Sequence, residues 1–216
     1  MMLRRFLLRC AAAAWFTAML LGTSAQATES PASSPVILIL GDSLSAGYGV
    51  RVDATWVALL QKRLVDQGYG YKVVNASISG ETTGGARSRL PRALQLHSPA
   101  VVVLELGAND GLRGLPLKQV RANFEDMLRQ VKSSGARAVL IAMRIPVNYG
   151  PAYTEQFHGL YAELAQEFSA PMVSGFIEGV ALDETMMQAD GLHPNAQAQP
   201  KLLDSVWPTL KTVLKK

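Results

Sequence analysis

The residues of this sequence that could do chemistry together are a serine near its start, Ser43, and a histidine near its end, His193. Ser43 lies in the run Gly41-Asp42-Ser43-Leu44-Ser45, directly after an apolar segment. A sharp strand-to-helix turn at this point would expose the serine hydroxyl. That hydroxyl is a weak nucleophile unless a base takes its proton, and its ordinary role at such a turn is to cap the helix. The turn alone therefore leaves both roles open.

The sequence contains three histidines that can be compared as general bases. His97 stands before Ser98-Pro99 at a predicted helix end, and His158 lies within a helical pattern, so structural roles suit both. His193 instead sits in a loop flanked by glycine and proline, three residues after Asp190. This spacing lets the carboxylate bond the imidazole Nδ1–H and leaves Nε2 to face a serine. A local turn is the alternative for an isolated Asp-x-x-His, and the serine turn favours catalysis.

Acyl transfer also needs hydrogen-bond donors that point at the developing oxyanion. The backbone N–H of Ser43 is one candidate. Gly80, after the second predicted strand, can offer another N–H because glycine permits close approach. The side-chain amide of Asn109, after the third, can offer one more. Ordinary turns also use both residue types, but here both follow strands at the same edge as Ser43. The residues thus favour a serine hydrolase with Ser43, Asp190 and His193 as catalytic residues.

The elements that must position these side chains alternate between strands and helices. Short apolar runs predict strands at 36–40, 71–74, 101–105, 138–142 and 172–173. Helical spacing of apolar residues predicts helices at 55–67, around 90–96 with a start after 85, at 120–131, at 157–168 and at 197–214. Such alternation indicates an α/β fold with a parallel sheet covered on both faces. Ligands of these sheets bind outside the carboxyl ends of the strands.

The first residues have the composition of an export signal. Three basic residues open the chain, namely Arg4, Arg5 and Arg9. An apolar run at 10–21 and small residues at 25–27 follow them, which is typical of a secretory signal peptide. An uncleaved membrane anchor is the alternative, but the run is short for a spanning helix, which needs about 20 apolar residues. We predict a signal peptide at 1–27, one hydrolase domain at 28–216 and a periplasmic or secreted protein.

Charge and cysteine content exclude several other classes of protein. The 21 Lys and Arg against 17 Asp and Glu give +4, which falls to +1 (18 against 17) without the three arginines of the signal peptide. No basic block with interleaved aromatic residues indicates a nucleic-acid partner. The single cysteine, Cys10, lies in the predicted signal peptide, so the mature chain can have no disulfide and no cysteine metal site. We expect no metal and no cofactor, since a phosphate-binding glycine loop is also missing.

Four short motifs, in this order, resemble those of the SGNH or GDSL hydrolases. They are Gly41-Asp42-Ser43-Leu44, Gly80, Gly107-Ala108-Asn109-Asp110 and Asp190-Gly191-Leu192-His193. The resemblance implies Ser43 as nucleophile, His193 as base and Asp190 as its partner. It also implies that Gly80 and Asn109 complete the oxyanion hole with the Ser43 N–H. The implied architecture is a flavodoxin-like three-layer α/β/α fold with a central parallel sheet of about five strands.

Further segments resemble the bacterial periplasmic thioesterase I / protease I / lysophospholipase subgroup; they are 74–80, 106–112, 146–150 and 187–191. This resemblance implies hydrolysis of acyl thioesters, carboxyl esters and lysophospholipids. We also expect a monomer without a stable membrane anchor. Ala108 stands where the subgroup usually has glycine, and the loop at 81–85 also departs from its pattern. The chain-length preference is therefore left open.

The apolar segment 143–146 follows the fourth predicted strand and can line an acyl groove. Ile145 and Pro146 are then the substrate-binding residues, and packing at the strand end is the alternative. Two other functions stay open at this point: a carbohydrate O-deacetylase, and a non-catalytic lipid-binding module on the same scaffold.

Overall fold

The short apolar runs become the strands of one parallel sheet in the computed structural model, which describes residues 34–216. The five strands are β1 (Val36–Gly41), β2 (Lys72–Asn75), β3 (Val101–Glu105), β4 (Arg137–Ile141) and β5 (Met172–Val173). Their order in the sheet is β2-β1-β3-β4-β5, and every pairing is parallel. This is the flavodoxin-like strand order, so the predicted fold class is confirmed.

Seven α-helices accompany the strands in the described part; the last of them follows β5. They are α1 (Ser43–Ala46), α2 (Trp56–Asp66), α3 (Thr83–His97), α4 (Ala108–Leu112), α5 (Leu117–Ser133), α6 (Pro151–Phe168) and α7 (Gln199–Lys211). Helix α2 packs against α7, whereas α5 packs against both α3 and α6. These two groups form the outer layers and bury the central strands, whose side chains at 37–40 and 101–104 have no exposed surface.

The strand order brings two chemically important turns to the middle of the sheet. The chain leaves β1 for β2 on one side and later returns to β3 on the other, so β1 and β3 are neighbours at the point where the order reverses. The turn after β1 begins with Asp42 and Ser43, and the turn after β3 leads to Asn109. Ligands of such sheets bind in the crevice at this switch point.

The start of α3 differs from the prediction. The helix begins at Thr83, whereas the sequence placed its start after Gly85. The hydroxyl of Thr82 accepts a hydrogen bond from the Gly85 N–H, which caps the first turn. The Thr83 N–H also donates to the buried carboxylate of Asp110 at 2.9 Å. These contacts offset the low helix propensity of the two glycines in this turn.

The predicted signal peptide lies outside the described residues and stays a prediction. Of the helices within 34–216, none is long and apolar enough to cross a membrane.

Candidate active site

Ser43 is the first residue of the short helix α1, and two neighbours fix the turn that presents it. Asp42 is the N-cap, and its Oδ1 accepts a hydrogen bond from the Leu44 N–H at 3.0 Å. Gly41 ends β1 beside Glu105, where an added Cβ would lie 2.6 Å from Glu105 Oε2. Only glycine fits this close approach, which explains the glycine before the Asp-Ser pair.

Asp190 fixes the loop that carries His193. Its Oδ1 accepts hydrogen bonds from the backbone N–H groups of Leu192 at 2.9 Å and His193 at 3.0 Å. Its Oδ2 lies 2.7 Å from His193 Nδ1. The two backbone bonds, aided by the imidazole, lower the pKa of Asp190 to about 2. The carboxylate therefore stays ionised at any pH well above this value.

Ser43 and His193 meet although they come from opposite ends of the described chain. The distance from Ser43 Oγ to His193 Nε2 is 2.9 Å. Because Nδ1 faces a carboxylate, it carries the ring proton, and Nε2 is left to accept a proton from the serine. The ring of Tyr48 packs against the imidazole with centroids 4.6 Å apart. The Gln188 amide donates to the Tyr48 carbonyl at 2.7 Å and joins the two loops.

The predicted oxyanion donors lie on the neighbouring turns. Asn109 Nδ2 donates to Asp42 Oδ2 at 3.2 Å, which ties this amide to the residue before Ser43. Gly80 has a left-handed backbone with φ of 79°, in a loop that runs beside β1 because the Ile78 N–H donates to Gly41 O. No protein acceptor takes the N–H of Ser43 or Gly80 among the described residues. Both groups are thus available to a ligand.

A cleft of about 480 Å³ opens at Ser43 and His193. Asn109 lines it, and so do both predicted substrate-binding residues, Ile145 and Pro146. Most of the other lining side chains are apolar: Leu44, Ala108, Leu112, Ile177, Ala181, Leu182, Met187 and Leu192. Gly80 is not part of the lining; it sits on an exposed turn, where its carbonyl accepts a hydrogen bond from Arg113 at 3.0 Å.

Two acids lie buried under the nucleophile turn, and sequence reasoning gave a role to neither of them. Asp42 is 1% exposed, and burial raises its pKa to about 6. Glu105 is fully buried, and burial together with the nearby Asp42 charge raises its pKa well above the ordinary value. A signal for Glu105 was present in the sequence, since it is the one acid in an otherwise apolar run predicted to be buried on both faces.

The other two histidines lie outside this arrangement. His97 ends α3, as its sequence context predicts. His158 is only half-buried on α6, and its Nε2 lies 3.0 Å from the guanidinium of Arg144. Within residues 34–216 there is no group of three or more His, Cys, Asp or Glu side chains that could hold a metal ion.

Comparison with known proteins assigns the chain to a family. Residues 39–199 match the GDSL-like lipase/acylhydrolase family. Esterase TesA of Pseudomonas aeruginosa is 49% identical over 183 residues, which cover 85% of this chain and 91% of that protein. Thioesterase 1/protease 1/lysophospholipase L1 of Escherichia coli K12 is 44% identical, over 80% of this chain and 82% of its own. A crystal structure of TesA superposes with a TM-score of 0.81 at 49% identity and covers 83% of this chain and 99% of its own.

Proposed function

The chain belongs to the GDSL-like lipase/acylhydrolase family of enzymes, and from this premise we propose that it cleaves acyl esters and thioesters through an acyl-enzyme on Ser43. The observation that carries the proposal is the hydrogen-bonded series from Ser43 Oγ through the His193 ring to Asp190, with distances of 2.9 and 2.7 Å. This series is the arrangement that serine hydrolases on unrelated folds use to activate a hydroxyl.

The reaction follows from these positions. Ser43 Oγ attacks the acyl carbonyl carbon while His193 Nε2 takes the hydroxyl proton, and the carbonyl π electrons move to oxygen. The tetrahedral intermediate collapses, the bond to the leaving oxygen or sulfur breaks, and His193 returns its proton to that atom. Water then attacks the acyl-serine with His193 again as base, which releases the carboxylic acid and restores Ser43. Asp190 stays ionised and holds the ring in position.

The negative oxygen of the intermediate needs donors that are already in place. We assign this role to the Ser43 N–H, the Gly80 N–H and the Asn109 amide. The free N–H groups and the position of Asn109 in the cleft support the assignment. The Arg113 bond to the Gly80 carbonyl restrains that turn.

The apolar lining of the cleft favours substrates with an acyl chain longer than acetyl. Burial of methylene groups against this lining contributes about 0.8 kcal/mol for each group that leaves water. A carbohydrate deacetylase has no use for such a surface. Lysophospholipids and acyl thioesters, which the name of the Escherichia coli relative includes, are therefore the substrate class we propose. The predicted signal peptide supports a periplasmic or secreted location.

A wider side chain in the cleft should shorten the preferred acyl group. Ala181 is exposed and lines the cleft, so Ala181→Trp fills part of it with little cost to the fold. We expect kcat/KM for a p-nitrophenyl ester with a twelve-carbon acyl chain to fall about tenfold or more, because burial of the acyl chain contributes about 1.4 kcal/mol less. For the butyrate ester, kcat/KM should change less than about twofold.

Ala152→Trp is the matched control, because Ala152 is exposed on the first turn of α6 and does not line the cleft. The wild type is assayed over acyl chains from acetyl to palmitoyl as p-nitrophenyl esters and as thioesters. A sharp preference of the wild type for acetyl groups would contradict the proposed substrate class. Absence of turnover on every acyl ester and thioester would remove the enzyme proposal itself.

The value of kcat/KM should fall on the acidic side of the ordinary assay range but not on the alkaline side. His193 must be neutral to accept the serine proton, and Asp42, with its pKa raised to about 6, must be ionised to hold Asn109. Both requirements fail as pH falls, whereas Asp190 remains charged. We expect log kcat/KM to rise as the pH increases through about 6, the pKa of Asp42, and then to hold on the alkaline side. A flat profile from about pH 5 to 9 would contradict His193 as base.

A further inference from the structure

A fully buried glutamate lies directly under the turn that presents the nucleophile. Glu105 ends β3, and none of its surface is exposed. Its Oε2 accepts hydrogen bonds from Ser45 Oγ at 2.6 Å and from the Asp42 N–H at 3.3 Å. The reaction described above gives it no role. An acid without exposure is rare unless it has a partner, so its position needs a reason.

The distribution of donors around Glu105 indicates its protonation state. Both donors converge on Oε2, while Oε1 is buried and receives a hydrogen bond from no donor of the described chain. A buried carboxylate with one bare oxygen is costly. A neutral carboxylic acid accepts at one oxygen and donates from the other, which agrees with an Oε1 that receives no donor. The hydroxyl then needs an acceptor of its own.

The candidate acceptor is the Asp42 carboxyl. The Asp42 N–H donates to Glu105 Oε2, so the two acids are adjacent, and each influences the pKa of the other. Two neighbouring acids in such a dry site cannot both ionise. Asp42 is better placed to hold the charge, because its two oxygens also accept from the Leu44 N–H and from the Asn109 amide.

Two other ionisable groups face this pair, and neither competes for the proton. Tyr161 is fully buried on α6, donates its hydroxyl to Leu106 O at 2.8 Å, and has a pKa raised well above the ordinary value by burial, so it stays neutral. The charge of His193 in its protonated form favours ionised Asp42. Gly41 and the apolar residues of β4 contribute no charge on the remaining sides.

We propose that Glu105 is a positioning residue for the reaction: a permanently neutral acid that donates to Asp42 and, through Asp42, holds the Asn109 amide and the nucleophile turn in their working geometry. This proposal rests on the proposed function, because Asn109 is assigned to the oxyanion. Without the donor from Glu105, the Asp42 carboxyl loses one of its three partners and takes up a proton more readily. Protonated Asp42 holds the Asn109 amide less firmly.

Two nearly isosteric variants separate this role from simple packing. Gln at 105 reproduces the neutral acid, with one accepting oxygen and one donating group, whereas Leu fills the space without either. For Glu105→Leu we expect kcat to fall about 10- to 100-fold, less than the 10²–10³ for direct loss of an oxyanion donor. KM should stay within about twofold, and the acid limb of kcat/KM should move to higher pH. Glu105→Gln should restore kcat to within about threefold of the wild type, with the limb in its original position.

Thermal unfolding gives a second readout that does not depend on turnover. A glutamate that is neutral in the fold but ionised in the unfolded chain makes unfolding release a proton, so its contribution to stability is complete below about pH 4 and is lost as pH rises. Gln has no such dependence. Between about pH 5 and 8, the melting temperature of Glu105→Gln should therefore rise relative to the wild type, by about 3 °C or more.

The outcomes are distinct. Equal loss of activity in the Gln and Leu variants, or a Gln variant that loses stability relative to the wild type as pH rises, would show that Glu105 works as a charged carboxylate and would overturn the proposal. Full kcat in Glu105→Leu would overturn it as well. If Glu105→Leu does not fold, the pH dependence of the Gln melting temperature decides. A wild type without turnover would refute the proposed function, while the melting experiment would still report on the neutral acid.

Discussion

Replacement of Ser43 with alanine is expected to lower kcat/KM for acyl esters by about 10⁴-fold or more, the range in which removal of a nucleophile places a serine hydrolase. The physical reason is that no other hydroxyl lies within hydrogen-bond distance of His193 Nε2 in the described chain. The oxyanion donors and the cleft remain, so a small residual rate over water should persist. The loss corresponds to about 5.5 kcal/mol of transition-state stabilisation.

The fold should survive this change, because within residues 34–216 the only hydrogen bond of the Ser43 side chain is the one to His193. Ser79→Ala is the matched control, since Ser79 is an exposed serine in the loop before Gly80 and its hydroxyl makes no hydrogen bond among the described residues. An organophosphonate probe should label the wild type and Ser79→Ala but not Ser43→Ala. More than about 1% residual activity in Ser43→Ala would show that Ser43 is not the nucleophile.

Asp190→Asn is expected to lower kcat about 10³-fold. The asparagine oxygen can still accept the backbone N–H groups of Leu192 and His193, so the loop keeps its shape. Its amide then faces His193 Nδ1 as a donor, which forces the ring proton onto Nε2 and leaves no acceptor for the serine proton. The effect should fall below the 10⁴-fold of a buried triad, because the Asp190 side chain is 38% exposed and water can partly replace it.

The chain offers a close control in Asp183→Asn. Asp183 caps a short 3₁₀ turn, and its side chain accepts hydrogen bonds from the backbone and hydroxyl of Thr185, but no histidine faces it. Single-turnover and steady-state rates of the two variants should therefore differ by about three orders of magnitude. Similar rates in both variants would mean that the His193 ring does not depend on Asp190 for its tautomer.

The positions of the strands, and their burial on both faces, were predictable because a strand buried on both faces must be a continuous apolar run. The range 101–105 was assigned without error, and most helix ends fell within a few residues of their predicted places. The start of α3 was not predictable, since it depends on the bond from Thr83 to Asp110, which is distant in sequence. Local propensity contains no information about such a contact.

In the site, too, local contacts were predictable from the sequence, whereas contacts made only by the fold were not. Asp190 and His193 could be paired from their spacing, because the contact is local and the two residues share one loop. The far side of the cleft was missed, since residues 177–182 carry no motif and reach the site only through the fold. Tyr48 and Gln188 were missed for the same reason. Chemistry that depends on a short spacing can be predicted from sequence, whereas the shape of a pocket depends on tertiary packing.

The bond between Ser43 and His193 joins residues 150 positions apart, and this separation matters while the protein is being made. A nascent chain carries the nucleophile from early in its synthesis but has no base until nearly all of it has been translated. A truncated or still unfolded chain therefore lacks the hydrogen-bonded pair of serine and histidine. The pair forms only when the two ends of the described domain come together, and α7, which follows His193, then packs against α2. The topology itself thus delays assembly of the candidate site until the domain has folded.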